Sequence, residues 1–219
     1  KPRFIGQRFV RNQLHVMIWI QKEHIYNIQM EKENMLNRKP MLLVLAGPNG
    51  SGKSTITKYF EIQGIYTNAD EVVASTGMDN KKAAEFVDKK RYEFIESKQD
   101  FTFETVLSSE YKMNILRKAK EEGYFIKCVF VLTNDPQINI TRVETRVLNG
   151  GHDVDKEKII SRYYKSLRHI KELMDICDIL HVYDNTGDKP VRIVRKHKED
   201  VSIFATEVWT NEKIVELLK

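Results

Sequence analysis

The stretch Gly47-Pro48-Asn49-Gly50-Ser51-Gly52-Lys53-Ser54 fits the spacing G-x-x-x-x-G-K-S/T without a gap. An apolar run, Met41 to Ala46, precedes it, and a helix-like stretch from Lys53 to Gln63 follows. Each residue type has a task at that spacing. The glycines let the backbone turn tightly, so that successive N–H groups face one cluster of anionic oxygens, and the start of the helix adds its positive end. Lys53 reaches the β- and γ-phosphates, and the Ser54 hydroxyl is suited to ligate Mg²⁺. The segment from Gly47 to Ser54, with Thr55 beside it, is therefore the candidate site for a nucleoside triphosphate and Mg²⁺. A glycine-rich turn that matches by chance is the bland alternative, and the strand and helix on either side weigh against it.

Two strand-like runs end in acids. Asp70 closes the run Ile65 to Asp70, where a carboxylate would stand near the γ-phosphate. A base that takes the proton of an acceptor hydroxyl in the transition state is worth about 10²–10⁴-fold. The competing use of Asp70 is to cap the helix that begins near Glu71-Val72. Glu104 and Thr105 close the run Phe101 to Thr105. An acid at such a strand end holds Mg²⁺ in many phosphoryl-transfer sites, and a carboxylate left in an apolar core would be costly.

Thr141 to Tyr164 is the other informative stretch. Arg142 and Arg146 stand four apart on one helix face, Asn149-Gly150-Gly151 breaks that helix, and Arg162 returns on the next. Two helices joined by a Gly-Gly hinge and bearing arginines have the layout of a lid. Its closure would bring guanidinium groups onto the transferred phosphoryl, an effect worth about 10³–10⁵ in rate. The alternative is an exposed basic hairpin with salt bridges, for example through Glu144. His152 follows the hinge and suits contact with substrate or phosphate, or a helix end. The other histidines lack ligand spacing, so no structural zinc is expected. The run around Lys81, Lys82, Lys89 and Lys90 reads as a solvated face, and Arg91 has no assigned direction.

These groups need elements to position them. Apolar runs recur at Met41–Ala46, Ile65–Asn68, Phe101–Phe103, Phe125–Leu132 and Ile179–Tyr183, with helix-like stretches between them at 53–63, 80–97, 109–122, 135–148 and 155–174. Asp79 reads as an N-cap, and Gly64 and Gly123 as helix stops. Strands alternating with helices give an α/β fold of the P-loop kinase type: a mainly parallel five-stranded sheet flanked by helices, with a helical lid. Ligands in such sheets sit beyond the C-terminal strand ends. After Asn185-Thr186-Gly187-Asp188, the runs Val191–Lys196 and Val201–Thr206 read as a hairpin, and Asn211–Leu218 as a closing helix.

The 219 residues carry a formal charge of +5, all of it in residues 1–40, which hold eight Lys/Arg against three Asp/Glu. Residues 41–219 are neutral, so the catalytic part has no global field to steer it to a polynucleotide, and no nucleic-acid partner is expected. The expected division is a basic N-terminal extension at 1–40 and a kinase domain at 41–219. Met30, Met35 and Met41 are all plausible starts, and in the extension Leu14, Val16, Ile18 and Ile20 alternate like a strand. No run of about 18 apolar residues occurs and no secretory signal pattern stands at the start, so no membrane span is expected. Cys128 and Cys177 read as core residues of a reducing compartment, which makes the expected location cytoplasmic.

The set LVLAGPNGSGKST, NADE, FTFET, RVxxGGHxV and SRYYKSL resembles the zeta-toxin-like P-loop kinases over about residues 41–190. That family phosphorylates UDP-N-acetylglucosamine on the sugar 3′-hydroxyl with Mg-ATP. The resemblance implies that Lys53 and Ser54 serve phosphate and Mg²⁺, that Asp70 activates the sugar hydroxyl, and that Glu104 meets the substrate. It places Arg142, with His152 or Arg162, over the triphosphate. Two departures stand out: well-studied members have a second arginine close to the position of His152, and many relatives have Pro where this chain has Asp155. The resemblance also implies a small helical antitoxin as partner, or a cis-acting inhibitory segment for which the extension is a candidate.

Overall fold

The computed structural model describes residues 38–151 and 153–219. The expectations for residues 1–37 and for His152 lie outside the described residues. From Met41 the chain alternates as β1 (Met41–Ala46), α1 (Lys53–Thr57), β2 (Ile65–Thr67), α2 (Ala69–Thr76), α3 (Asn80–Glu96), β3 (Phe101–Thr105), α4 (Glu110–Glu121), β4 (Phe125–Leu132), α5 (Pro136–Leu148), α6 (Lys156–Ile176), β5 (Ile179–Asp184), β6 (Val191–His197), β7 (Asp200–Ile203) and α7 (Asn211–Leu217).

The strands form one sheet in the order β2-β3-β1-β4-β5-β6-β7. The first five are parallel, with β1 between β3 and β4 in the registers Leu42↔Phe101 and Leu42↔Ile126. The expected hairpin is antiparallel and adds to β5, so the five parallel strands extend into a sheet of seven. β5 alternates buried Leu180 and Val182 with half-buried His181 and Tyr183, the period of two that sets one face against the core.

Both faces of the centre are covered, so β1 reads as a continuous apolar run and β4 as one broken only at Lys127. One core gathers Leu42, Val44, Phe101, Phe103, Ile126 and Phe130 with Ile95 of α3, Met113 and Leu116 of α4, Ile170 and Leu173 of α6 and Ile214 of α7. The opposite face packs Leu43, Leu45, Val129 and Val131 on Ile56 of α1. A separate small cluster, Ile140, Val143 and Ile159, joins α5 to α6 and makes the lid a packed unit. Cys128 and Cys177 are free and buried, and burial pushes the Cys128 thiol up, with Cys177 adding to the shift.

Local details decide where elements begin and end. Asp79 caps α3 through the Lys81 and Lys82 amides. Asp155, in place of the proline, caps α6 by accepting from the Lys158 N–H at 3.1 Å. The helix expected to reach Gln63 ends at Thr57. Tertiary bonds win over helix propensity there: Thr102 Oγ1 accepts from the Gln63 N–H and donates to the Gln63 carbonyl, and the Ile65 N–H donates to Asp100, drawing 63–65 into the sheet edge. Among the described residues no helix is long and apolar enough to cross a membrane.

Tyr124, 1% exposed, donates to the Phe94 and Gln99 carbonyls at 2.8 Å each. Burial, helped by Asp100 and Glu122, pushes its phenol up to about 12 from 10.0. The folded chain thus holds this proton more tightly than the unfolded one. The resulting stability is complete below pH 10 and is lost as pH rises through about 12. The thermal midpoint followed by circular dichroism is expected to fall across that interval, and Tyr124→Phe to make the fall shallower. An unchanged slope in the variant would show that the linkage lies elsewhere.

Candidate active site

β1 delivers the chain to a loop that only glycine can follow at Gly47, Gly50 and Gly52. Gly50 has φ +75 and a Cβ there would lie 2.4 Å from the Asn139 carbonyl oxygen; Gly52 has φ +85 and its Cβ would lie 2.1 Å from Asn185 Nδ2. The loop is braced from two directions. Asn139 of α5, fully buried, donates from Nδ2 to the Asn49 carbonyl at 2.6 Å, and its Oδ1 accepts from Thr133. Asn185, just past β5, donates to the Ser51 carbonyl at 2.9 Å. Lys53 lies inside the turn and donates to the carbonyls of Gly47 at 2.9 Å and Pro48 at 3.2 Å. Ser54 and Thr55 face outward on the first turn of α1, where the Thr55 N–H donates to the carbonyl of the N-cap Gly52 at 3.0 Å.

The candidate groups from distant elements meet around one cavity of about 490 Å³. Asn49, Gly50 and Lys53 line it from the loop, Asp70 from α2, Glu104 and Thr105 from the end of β3, and Arg146 and Arg162 from the two lid helices. Arg162 Nη1 donates to Asn49 Oδ1 at 3.3 Å, which ties the lid to the loop. Gly151 turns back over Arg146, donating its N–H to the Arg146 carbonyl at 2.9 Å. Arg142 is directed elsewhere: its Nη2 donates to the Thr186 carbonyl at 3.3 Å, and it does not line this cavity. Ser54 and Thr55 likewise lie outside the cavity lining.

The acids are poised differently. Asn68, not Asp70, caps α2: its Oδ1 accepts from the Asp70 N–H at 3.0 Å. Asp70 is exposed, and among the described residues no hydrogen bond is made by its carboxylate. Glu104 Oε1 stands 4.0 Å from Lys53 Nζ, and its Oε2 accepts from the Tyr66 hydroxyl at 3.3 Å. Asn68 Nδ2 donates in turn to that hydroxyl. Burial, then Glu104, pushes Tyr66 up to about 12, so it remains a donor to the carboxylate at neutral pH. Burial pushes the Lys53 ammonium below its ordinary value, and Glu104 and then Asp70 offset part of that. Thr105 is occupied by the fold, since its hydroxyl accepts from the Leu107 N–H at 3.0 Å and its carbonyl from the Gly47 N–H.

Residues to which the pattern alone gives no role complete the site. Asn139 and Asn185 hold the loop, Tyr66, with Asn68 behind it, orients Glu104, and Arg91, Lys112 and Lys165 also line the cavity. Asn139 left a signal, because an asparagine inside an apolar helix pattern competes for backbone groups and needs a reason to be there. Asn185→Ala is expected to leave the buried Ser51 carbonyl without its donor, at a cost of about 1–3 kcal/mol. Weaker ATP binding by isothermal titration, with the fold retained, would bear this out; parent-like affinity would show that the loop holds its shape without the brace.

The Ser54 hydroxyl and the Glu104 carboxylate are hard oxygen groups of the kind Mg²⁺ takes, Glu104 in the cavity lining and Ser54 outside it on the first turn of α1. Among the described residues no cluster of three or more His, Cys, Asp or Glu forms a cage of its own. Such a set suits an ion that keeps waters and takes phosphate oxygens.

Known proteins agree with this architecture. The zeta toxin family matches residues 66–199. An uncharacterised protein of Haemophilus influenzae is 29% identical over 125 residues, which cover 53% of this chain and 88% of that protein. Among solved structures, the AvrRxo1-ORF1:-ORF2 complex with ATP superposes with a TM-score of 0.64 at 15% identity, covering 84% of this chain and 65% of that one. The likeness shows a shared fold, and this chain spans less than two thirds of that chain's length. The PezAT chromosomal toxin-antitoxin system of Streptococcus pneumoniae gives a TM-score of 0.46 at 20% identity, covering 68% of this chain and 69% of that one.

Proposed function

We propose, from the premise that this chain belongs to the zeta toxin family of P-loop kinases, that it transfers the γ-phosphoryl group of ATP to the 3′-hydroxyl of UDP-N-acetylglucosamine. The observation that carries the reading is the meeting of Lys53, Asp70, Glu104, Arg146 and Arg162 around one cavity beside the phosphate-binding loop. In this reading the loop amides and Lys53 hold the triphosphate. Asp70 takes the proton of the acceptor hydroxyl as its oxygen forms a bond to the γ-phosphorus. The bond from that phosphorus to the β–γ bridging oxygen breaks, and ADP leaves. Arg146 and Arg162 face the charge that spreads over the equatorial oxygens. Ser54 and Glu104, the latter directly or through water, would hold Mg²⁺, which neutralises phosphate charge when bound. Glu104, oriented by Tyr66, also meets the acceptor in this assignment.

As a family member the protein is proposed to act as the toxin of a toxin-antitoxin pair in the cytoplasm. A small helical antitoxin would hold it inactive, or the basic residues 1–40 would do so in cis. The AvrRxo1-ORF1 structure, a complex with a second protein, is in line with such a partner.

ADP release from Mg-ATP, with and without UDP-N-acetylglucosamine, tests the acceptor. Stimulated release together with a product heavier by one phosphate in the mass spectrum is expected. Release that the sugar nucleotide does not stimulate, in the full chain and in residues 41–219 alike, would remove it as the acceptor.

A further inference from the structure

The element that carries Asp70 is the least anchored near the cavity. α2 has no buried residue, and β2, which delivers it, is a three-residue strand at the sheet edge with Ile65 46% exposed. One side chain grips the junction between them. Arg91 of α3, 1% exposed, donates from Nε to Thr67 Oγ1 and from Nη2 to the Thr67 carbonyl, both at 3.0 Å. Thr67 is the last residue of β2 and stands immediately before Asn68, which caps the helix through the Asp70 amide. The planar fork therefore fixes a point three residues from the Asp70 carboxylate.

The guanidinium is itself held on three sides. Its Nη1 donates to Asp88 Oδ1 at 2.7 Å, and its face stacks on Phe103 with the centroid 4.3 Å away. Asp88, also 1% exposed, accepts from Lys112 of α4 at 2.6 Å. A buried ion cluster of this kind is weak evidence for stability, because apolar residues of similar volume often serve as well. What an apolar side chain cannot supply is a directional double hydrogen bond to the end of β2.

We propose that Arg91 is a positioning residue for phosphoryl transfer: with Asp88 as counter-ion, it clamps Thr67 and so holds the Asp70 carboxylate at the acceptor. The inference rests on Asp70 as the base.

The test uses the full chain, with UDP-N-acetylglucosamine as the probe acceptor. Arg91→Lys keeps the charge and loses the fork. It is expected to bind ATP with parent affinity, keep the KM for ATP, and lose about 10²-fold in kcat, the scale of a base misplaced by roughly 1 Å. Amide hydrogen exchange is expected to speed up over residues 66–76 and not elsewhere. In the double variant with Asp70→Asn, the Arg91 substitution should cost nothing more, since it acts through that carboxylate. A further loss in the double variant, or parent-like protection of 66–76 in Arg91→Lys, overturns the clamp, and the exchange measurement needs no acceptor. Where Arg91→Lys does not fold, Thr67→Val decides. That substitution removes the hydroxyl acceptor, along with a 3.4 Å contact to the Thr102 carbonyl, and leaves the Arg91–Asp88 pair intact. A lowered kcat at unchanged ATP affinity supports the proposal, and parent kcat overturns it. If Asp70→Asn alone retains turnover, the base assignment falls and the positioning role with it. If only Arg91→Lys retains turnover, the positioning role alone falls.

Discussion

Asp70→Asn is expected to bind ATP like the parent and to lose acceptor phosphorylation by about 10²–10⁴-fold, the range for removing a general base. The substitution is close to isosteric and spares the local structure, because Asn68 and not Asp70 caps α2. It removes a carboxylate that the described residues leave without a hydrogen bond, one free to accept a proton from a hydroxyl. It also removes one of the two carboxylates that support the Lys53 ammonium, Glu104 being the stronger. The triphosphate contact should therefore persist. The measurement pairs ATP affinity with single-turnover phosphorylation. Loss of both together would point to damage in the loop, and parent-like turnover would remove Asp70 from the chemistry.

Arg162→Ala is expected to lower turnover by about 10³–10⁵-fold, the scale of an arginine that meets the transferred phosphoryl. Arg162 reaches the cavity from α6 and touches the loop through Asn49, so it stands between the lid and the glycine-rich loop. Arg146 lines the same cavity from α5 and should show an effect of the same kind. Arg142, four residues earlier on that helix, is directed to the Thr186 carbonyl instead, and Arg142→Ala is expected to leave kcat nearest to the parent. The lid's own cluster of Ile140, Val143 and Ile159 packs without these guanidinium groups, so the variants should keep the parent's thermal midpoint. Equal losses in all three would mean that the lid moves far enough on closure to redirect Arg142. No loss at Arg162 would place the transition-state charge elsewhere.

What the sequence determined by itself was whatever depends on short spacing. The loop from Gly47 to Ser54 is a local conformation, and its glycines are needed where a Cβ would strike Asn139 or Asn185. The acid at the end of β3, Glu104, and the hinge at Asn149-Gly150-Gly151 are likewise written in a few consecutive residues, whereas Asp70, expected to close a strand, stands in α2 because β2 ends at Thr67. The alternation of apolar runs and helical stretches was enough for an α/β sheet, because buried parallel strands and amphipathic helices have different periods.

The tertiary structure decided what depends on partners far along the chain. Asn139 lies 90 residues from the loop carbonyl it holds, and Asn185 lies 134 residues from its own. No local pattern encodes such a meeting. The same holds for Arg91, whose direction was open in the sequence and which the fold turns onto Thr67 and Asp88. α1 stopped at Thr57 because bonds to the neighbouring strand outweigh the propensity of a few residues; the cap of α2, by contrast, is a local bond from the Asp70 N–H to Asn68. Arg142 and Arg146 share a helix face in sequence, yet only Arg146 lines the cavity, since the β5–β6 connection offers Arg142 a carbonyl at 3.3 Å. Spacing named the chemical groups, and packing chose which of them face one another.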